Sequence, residues 1–297
     1  MTELNVTMVA FHGKTKPEAL KELLREVLNT VTSSLPTSLS WSFRSYDFTQ
    51  MHATVIGMEA DVADGQLYGR WFQKNKHDSR LIDINCLHAS FKNLVHPDKP
   101  LFTIRFGGFP EAYCKCKKQH PHACDDWPCA SALDVLDVFH SCDRTSYQGS
   151  FYAFSPGPVM ITGWPIEGPN ELHTFPHSLY QFRQSVEQCG LADKYHYHHD
   201  HENGHWKDDD CFIRIGSFLG PLPPDQFCAT ENAVRAFLSN RKPVVIDMTV
   251  DDVSIVLYDN PSLEEQYVRE RVPLATFLSD PCTLKEVYNT FLKQSGG

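Results

Sequence analysis

The chain has 297 residues, of which 41% are hydrophobic and 22% are charged, a balance typical of a folded globular protein and not of a disordered or fibrous one. Its formal net charge of −10 argues against a protein that binds long duplex nucleic acid, because such binding needs clustered Lys and Arg. No apolar run approaches the roughly 20 residues that a membrane-spanning helix needs, so we expect no membrane partner.

The first elements in chain order alternate between strand and helix. Residues 6–11 form a β-branched, apolar run that is typical of a buried strand. Apolar residues then recur at helical spacing over residues 19–31, between Pro17 and Pro36, and predict an amphipathic helix. Strand chemistry returns over residues 39–58 and ends in Gln50-Met51-His52-Ala53-Thr54-Val55-Ile56-Gly57.

The remaining elements predict a mixed fold. In chain order they are a helix at 88–95, a strand at 101–109, a hairpin of 151–154 with 159–164, a helix at 172–190, a strand at 211–216, a helix at 231–238, and an antiparallel pair at 244–248 and 253–258. From this order we predict an α+β fold with two lobes, each a mainly antiparallel sheet with outer helices, around a central cleft. Residues 1–260 would form this single two-lobed domain, and residues 261–297 a C-terminal extension.

One predicted strand carries a motif with chemical potential. Because alternate side chains of a strand share a face, His52 and Thr54 point to the same side. An imidazole can take or give a proton near neutral pH, and a hydroxyl two residues away can donate a hydrogen bond to a phosphoryl oxygen. On its own, the pattern H-x-T is more often part of an ordinary half-buried strand.

The order of strand, amphipathic helix and the strand Met51-His52-Ala53-Thr54-Val55 resembles the opening of the two-histidine phosphoesterase superfamily, which includes 2′,3′-cyclic-nucleotide hydrolases. The resemblance continues in element order over residues 5–260. It implies a second H-x-[ST] motif on a strand of the second lobe, facing the first across the cleft. The corresponding strand here is Cys211-Phe212-Ile213-Arg214-Ile215, in which Phe212 takes the histidine position and Arg214 the hydroxyl position.

The resemblance implies a phosphodiesterase-like protein that acts on a cyclic or short nucleotide or RNA phosphodiester. His52 would then act as general acid or base, Thr54 would orient the phosphate, and Arg214 would offset charge on the phosphoryl oxygens. This scheme requires no metal or other cofactor. Phe212 can stack on a base but cannot transfer a proton, so the second half-site either binds ligand without catalysis or uses a histidine from the loop at 195–210.

That loop, at residues 195–210, contains five histidines and five acidic residues. We place Trp206, His199 and His201 among the substrate-binding residues, because the loop leads directly into the strand of Arg214. Imidazoles and carboxylates at this spacing could instead bind a transition metal and make the chain a metal-dependent hydrolase. The plainer interpretation is a polar surface loop that is rich in histidine.

A second cluster lies in an insertion near residues 113–129. Its six soft ligands are Cys114, Cys116, His120, His122, Cys124 and Cys129. Four of these could hold a structural zinc, although the C-x-C spacing matches no standard zinc finger, and an unmetallated loop or disulfides are the alternatives. Ten cysteines are too few for a disulfide scaffold of this length, and the N-terminus shows no secretory signal, so we expect reduced thiols and a cytoplasmic location.

Overall fold

The computed structural model of the chain describes residues 2–11, 17–96, 98–107, 151–153, 155–167, 178–191 and 211–295. The strands in these residues are β1 (Thr2–Leu4), β2 (Val6–Ala10), β3 (Phe43–Ser45), β4 (His52–Gly57), β5 (Ala60–Ala63), β6 (Gln66–Gly69), β7 (Phe102–Phe106), β8 (Phe151–Ala153), β9 (Gly157–Pro165), β10 (Cys211–Phe218), β11 (Val244–Met248), β12 (Val253–Tyr258) and β13 (Val268–Pro273). The α-helices are α1 (Glu18–Ser34), α2 (Arg70–Lys76), α3 (Ile84–Leu94), α4 (Ser178–Glu187), α5 (Pro224–Asn240), α6 (Leu274–Ser279) and α7 (Cys282–Ser295).

One large sheet dominates the fold and is antiparallel at every described pairing. Its strand order is β11-β7-β9-β10-β4-β2-β12-β13, with β3 beside β10 and β8 beside β9. A smaller sheet has the order β1-β5-β6. The predicted α+β class is confirmed. The two motif strands, which we expected to face each other across a cleft, are instead neighbours, and four strands of the main order lie on each side of their boundary.

The two faces of the large sheet differ in chemistry. On one face, strand residues such as Met8, Ala53 and Ile213 join Leu24 of α1 and Phe91 of α3 in a single hydrophobic core. The alternate residues of the same strands form the opposite face, which we call the polar face. Its buried polar side chains are Thr7, His52, Thr54, Arg105, Thr162, Arg214 and Ser254. Buried polar groups on this scale are costly unless they have partners, so this face is the place to look for function.

The predicted strands at 244–248 and 253–258 exist, but their predicted pairing with each other is wrong. β11 pairs with β7, whereas β12 lies between β2 and β13. In a flat sheet, the six strand spacings from β11 to β12 would span about 29 Å. Residues 249–252, which connect the two strands, can reach at most about 18 Å. The sheet is therefore strongly curled, so that strands far apart in its order are close at their ends.

Local sequence explains the helices that cover the core. In α1, Leu20, Leu23 and Val27 are fully or almost fully buried, as its helical spacing of apolar residues predicts. The side chain of Asp83 caps α3 by accepting hydrogen bonds from the first backbone N–H groups of the helix. Within the described ranges, no helix is both long and apolar enough to cross a bilayer.

The segment after residue 261, which we predicted to be an extension, is integrated into the fold. β13 extends the sheet by pairing with β12. Leu274 and Phe277 of α6 and Leu284 of α7 are buried in the main core. These residues therefore complete the same hydrophobic core as the strands of residues 1–260.

A disulfide joins Cys86 of α3 to Cys189, just after α4. Their Cα atoms lie 5.4 Å apart, within the range that a disulfide requires, because the two helices pack together. This bond contradicts the expectation of reduced thiols at these two positions. The turn that follows is tight: Gly190 has a φ of +87°, and a Cβ there would overlap the backbone carbonyl of Leu81.

Candidate functional site

The sheet register makes His52 and Arg214 direct partners. β4 pairs with β10 through Ala53 with Ile213 and through His52 with Arg214. Residues directly opposite each other on antiparallel strands share a face, with Cβ atoms about 4.5–5.5 Å apart. His52 and Arg214 are both buried. His52, the predicted base, and Arg214, the residue predicted to bind phosphate, therefore lie side by side on the polar face.

A backbone hydrogen bond fixes which nitrogen of His52 can accept a proton. The Nδ1 atom lies 2.8 Å from the carbonyl oxygen of Gln50. Since a carbonyl can only accept, Nδ1 carries a proton and donates it to this bond. In the neutral imidazole the lone pair is then on Nε2. This is the arrangement that a general base requires, with one nitrogen held and the other able to accept.

The pairing of β4 with β10 ends just beyond this pair. Thr54 and Phe212, the next residues on the same face, are buried but outside the ladder between the two strands. Beyond them, Arg183 of α4 enters from the core side, and its Nε donates a 2.9 Å hydrogen bond to the carbonyl of Val55. Arg183 is itself buried. Arg183 thereby gives the buried carbonyl of Val55 a donor beyond the last pair of β4 with β10. This hydrogen bond holds β4 in position three residues after His52.

The connection between β12 and β13, residues 259–267, reaches the polar face at the same pair. The Nη1 atom of Arg214 donates to the carbonyl of Pro261 at 3.2 Å. The amide of Gln50, whose backbone carbonyl holds His52, donates to the carbonyl of Ser262 at 3.0 Å. Two consecutive carbonyls of this connection therefore orient both His52, through Gln50, and Arg214. The polar pair is fixed by the fold before any ligand arrives.

Aromatic contacts extend the site toward β13. The ring of Phe11 lies 5.8 Å from the imidazole of His52, measured between centroids. The guanidinium carbon of Arg271 lies 4.0 Å from the centroid of Phe11, and its Nε donates to Ser254 Oγ at 3.1 Å. Together with Arg105 and Arg214, Arg271 makes the polar face rich in guanidinium groups.

The remaining predicted site residues lie outside the described part of the chain. This applies to the substrate-binding candidates Trp206, His199 and His201, and to the predicted metal ligands Cys114, Cys116, His120, His122, Cys124 and Cys129. Among the residues that the structure does describe, no three His, Cys, Asp or Glu side chains are grouped as metal ligands. The structural zinc therefore stays a prediction.

Sequence reasoning missed three residues of this region. Arg183 follows Leu179 by four residues and so falls within the apolar stripe of α4, where a charged residue is a visible irregularity. Phe11 ends the first predicted strand, two residues after Val9 on the same face, and could have been placed by alternation. Arg271 carried no such signal, because its strand lies in a segment that looked like a charged appendage.

Comparisons of the chain with protein families, with curated proteins and with solved structures give no match. What the chain does has to be inferred from the side chains described above.

Proposed function

We propose that this chain is a phosphodiesterase-like protein that acts on a cyclic or short nucleotide or RNA phosphodiester at the polar face. The observation that carries the proposal is the direct cross-strand pairing of His52 with Arg214, with Thr54 on the same face. A proton acceptor, His52, and a planar, permanently charged group that can bind phosphate, Arg214, are thereby adjacent. The resemblance to two-histidine phosphoesterases implies two motifs that face each other across a cleft, whereas here the two motif strands are neighbours, so the proposal rests on the pairing itself.

The register also supports the equivalence of the two motif strands. Around the pair of Ala53 with Ile213, position 52 of β4 corresponds to position 212 of β10, and position 54 corresponds to position 214. This is the local two-fold relation expected if H-x-T on one strand matches F-x-R on the other. β4 and β10 also share their local context, since each follows a helix, α1 or α4, and an antiparallel neighbour, β2 or β9.

The proposed reaction is hydrolysis with His52 as the general base. Nε2 of His52 takes a proton from water as the water oxygen bonds to phosphorus, and the bond from phosphorus to the ribose oxygen breaks. Arg214 and Thr54 donate to the phosphoryl oxygens, on which negative charge increases in the transition state. The released ribose oxygen takes up one proton, which a histidine of the loop at 195–210 or solvent supplies.

Phe212 defines the limit of this chemistry. It occupies the position at which the resembled family has its second proton-transfer group, and a phenyl ring can contact a base but cannot protonate a leaving oxygen. The loss of one proton-transfer group lowers a rate by about 10² to 10⁴. We therefore expect slow turnover. The second candidate function, binding of nucleotide or RNA ends without cleavage, is favoured by this same substitution.

The test is hydrolysis of nucleoside 2′,3′-cyclic phosphates in the presence of a chelator. We expect turnover by the unmodified chain, at least a 100-fold loss in His52→Gln and His52→Ala, and no loss in His96→Ala, a control at an exposed histidine. Circular dichroism of the two His52 variants verifies that they fold. Binding without turnover that is lost in Arg214→Ala would replace the hydrolase by the binding protein.

Two further results would reject the proposed chemistry. Activity that disappears with chelator and returns with one metal would favour a metal-dependent hydrolase at His196–His205. A chain that neither binds nor cleaves any cyclic or short phosphodiester would leave the polar face without the proposed function.

A further inference from the structure

Arg271 lies on the polar face, on β13 at one end of the strand order. It pairs with Val256 across β13 and β12, which places it on the same face as Ser254, Phe11 and His52. Its guanidinium stacks on Phe11, whose ring in turn contacts the imidazole of His52. The guanidinium carbon is therefore no farther from the imidazole centre than the combined length of these two ring contacts, which is an upper limit on their separation.

The charge of Arg271 has no carboxylate partner among the described residues. Two carboxylates of the connection between β12 and β13 bind other arginines, Asp259 binding Arg269 and Glu264 binding Arg44. The side chain of Arg271 is exposed overall, and partial desolvation lowers the pKa of its guanidinium. An anion seated against this guanidinium would compensate its charge.

The position of this arginine is also held in advance. The Nε atom is committed to Ser254 Oγ, and the plane of the guanidinium rests on Phe11. These two contacts leave the Nη atoms as the groups that can donate to a ligand. A planar fork of donors held at a fixed angle is well suited to phosphate oxygens.

We propose that Arg271, Phe11 and Ser254 form a second phosphate subsite, which takes a phosphate located one nucleotide length from the phosphodiester at His52 and Arg214. The ligands favoured would be nucleotides that carry two phosphates, such as a 2′,3′-cyclic nucleotide with a 5′-phosphate, or a short oligonucleotide. This inference rests on the proposed function and specifies its substrate class. Phe11 lies between the two positions, in contact with both His52 and Arg271.

The experiment compares two ligands that differ by one phosphate. Adenosine 2′,3′-cyclic phosphate and its 5′-phosphorylated form are titrated calorimetrically into the unmodified chain, Arg271→Ala and Arg269→Ala. Arg269 is the matched control, since it is an exposed arginine on the same strand, as Arg271 is, but is paired with Asp259. We expect the unmodified chain and Arg269→Ala to bind the 5′-phosphorylated ligand about tenfold more tightly, and Arg271→Ala to bind both ligands alike.

The outcomes separate this inference from the proposed function. Equal affinity of the unmodified chain for both ligands would overturn the second subsite and leave the proposed function standing. A tenfold preference that survives in Arg271→Ala, or disappears equally in Arg269→Ala, would overturn the assignment to Arg271. Binding of neither ligand would overturn the proposed function and the subsite together.

Discussion

Replacement of Arg183 tests how the fold holds the motif strand. Arg183→Met removes the guanidinium that donates to the carbonyl of Val55 and keeps most of the aliphatic stem that packs in the core. Both groups are buried, so water cannot replace the lost donor without entering the core. Val55 lies three residues from His52 on the same strand, and a change there is transmitted directly to the site.

The expected cost follows from the environment of this hydrogen bond. A hydrogen bond from a charged donor contributes about 1.5–3 kcal/mol, and a buried acceptor left without a partner costs about 1–3 kcal/mol. These values describe the same loss and are not summed, so we expect Arg183→Met to lower the free energy of unfolding by about 2–3 kcal/mol. Arg25→Met is the matched control, because Arg25 is about half exposed and its ion pair with Glu18 is on the surface. Its expected cost is below about 1 kcal/mol.

Urea unfolding followed by circular dichroism measures both variants at one pH and salt concentration. If Arg183→Met lowers the free energy of unfolding no more than Arg25→Met does, the hydrogen bond to Val55 does not hold the strand. The argument that a buried hydrogen bond is costly to lose would then fail at this site. Where turnover is detectable, Arg183→Met should lower kcat more than it raises KM, because it displaces His52 and leaves Arg214 to bind phosphate.

Three other predictions concern stability. Gly190→Ala should destabilise the chain by at least about 2 kcal/mol, because the φ of Gly190 is positive and a Cβ there would overlap backbone atoms. Gly220→Ala is the control, since the space around its Cβ is open, and should change the free energy of unfolding by less than about 1 kcal/mol. Equal effects of the two substitutions in thermal unfolding would contradict this prediction. Non-reducing peptide mapping should recover a peptide in which Cys86 is linked to Cys189, and free thiols at both positions would refute the bond. Reduction of the bond should lower the free energy of unfolding by up to about 5 kcal/mol, since the bond closes a loop of 103 residues. Burial raises the pKa of Tyr288, so its contribution to stability is complete below its unfolded pKa of about 10 and is lost as pH rises, by up to about 1.4 kcal/mol per pH unit. Tyr288→Phe should therefore flatten the alkaline loss of stability in urea titrations, and parallel curves for the two proteins would exclude this role.

Local periodicity predicted the elements that lie around the site. β2 and α1 follow the apolar patterns of residues 6–11 and 19–31 closely, because each buries one face against the same core. The hairpin of β8 with β9 was also predicted correctly, as the pairing of Phe151 with Ile161 shows. In these cases the information is contained in a short stretch of sequence, and tertiary packing reinforces it.

Pairings between distant strands could not be predicted in the same way. β11 and β12 are separated by a short turn and looked like a hairpin, yet each pairs with a strand more than 130 residues away in the chain. Apolar alternation identifies a strand but not its neighbour, since any pleated, half-buried strand offers the same backbone groups. The curl of the sheet, which makes the short connection feasible, is a property of the whole sheet.

At the candidate site too, local alternation was predictable from the sequence, whereas the pairing between strands was not. Alternation correctly assigned His52 and Thr54 to one face, and Phe212 and Arg214 to one face of their own strand. That these two faces are continuous, with His52 opposite Arg214, depends on the register of β4 with β10 and was not contained in either strand. Arg271 shares the polar face only because β13 pairs with β12.

The most direct test of the shared phosphate site is the imidazole of His52 itself. Long-range ¹H–¹⁵N NMR spectra, with the His52 signals assigned by their loss in His52→Gln, report the tautomer and the environment of each ring nitrogen. We predict a proton on Nδ1, and a shift of the Nε2 resonance on addition of a 2′,3′-cyclic nucleotide that Arg214→Ala abolishes. An Nε2 resonance that does not change at saturating ligand, or that shifts equally in Arg214→Ala, would contradict a phosphate held jointly by His52 and Arg214.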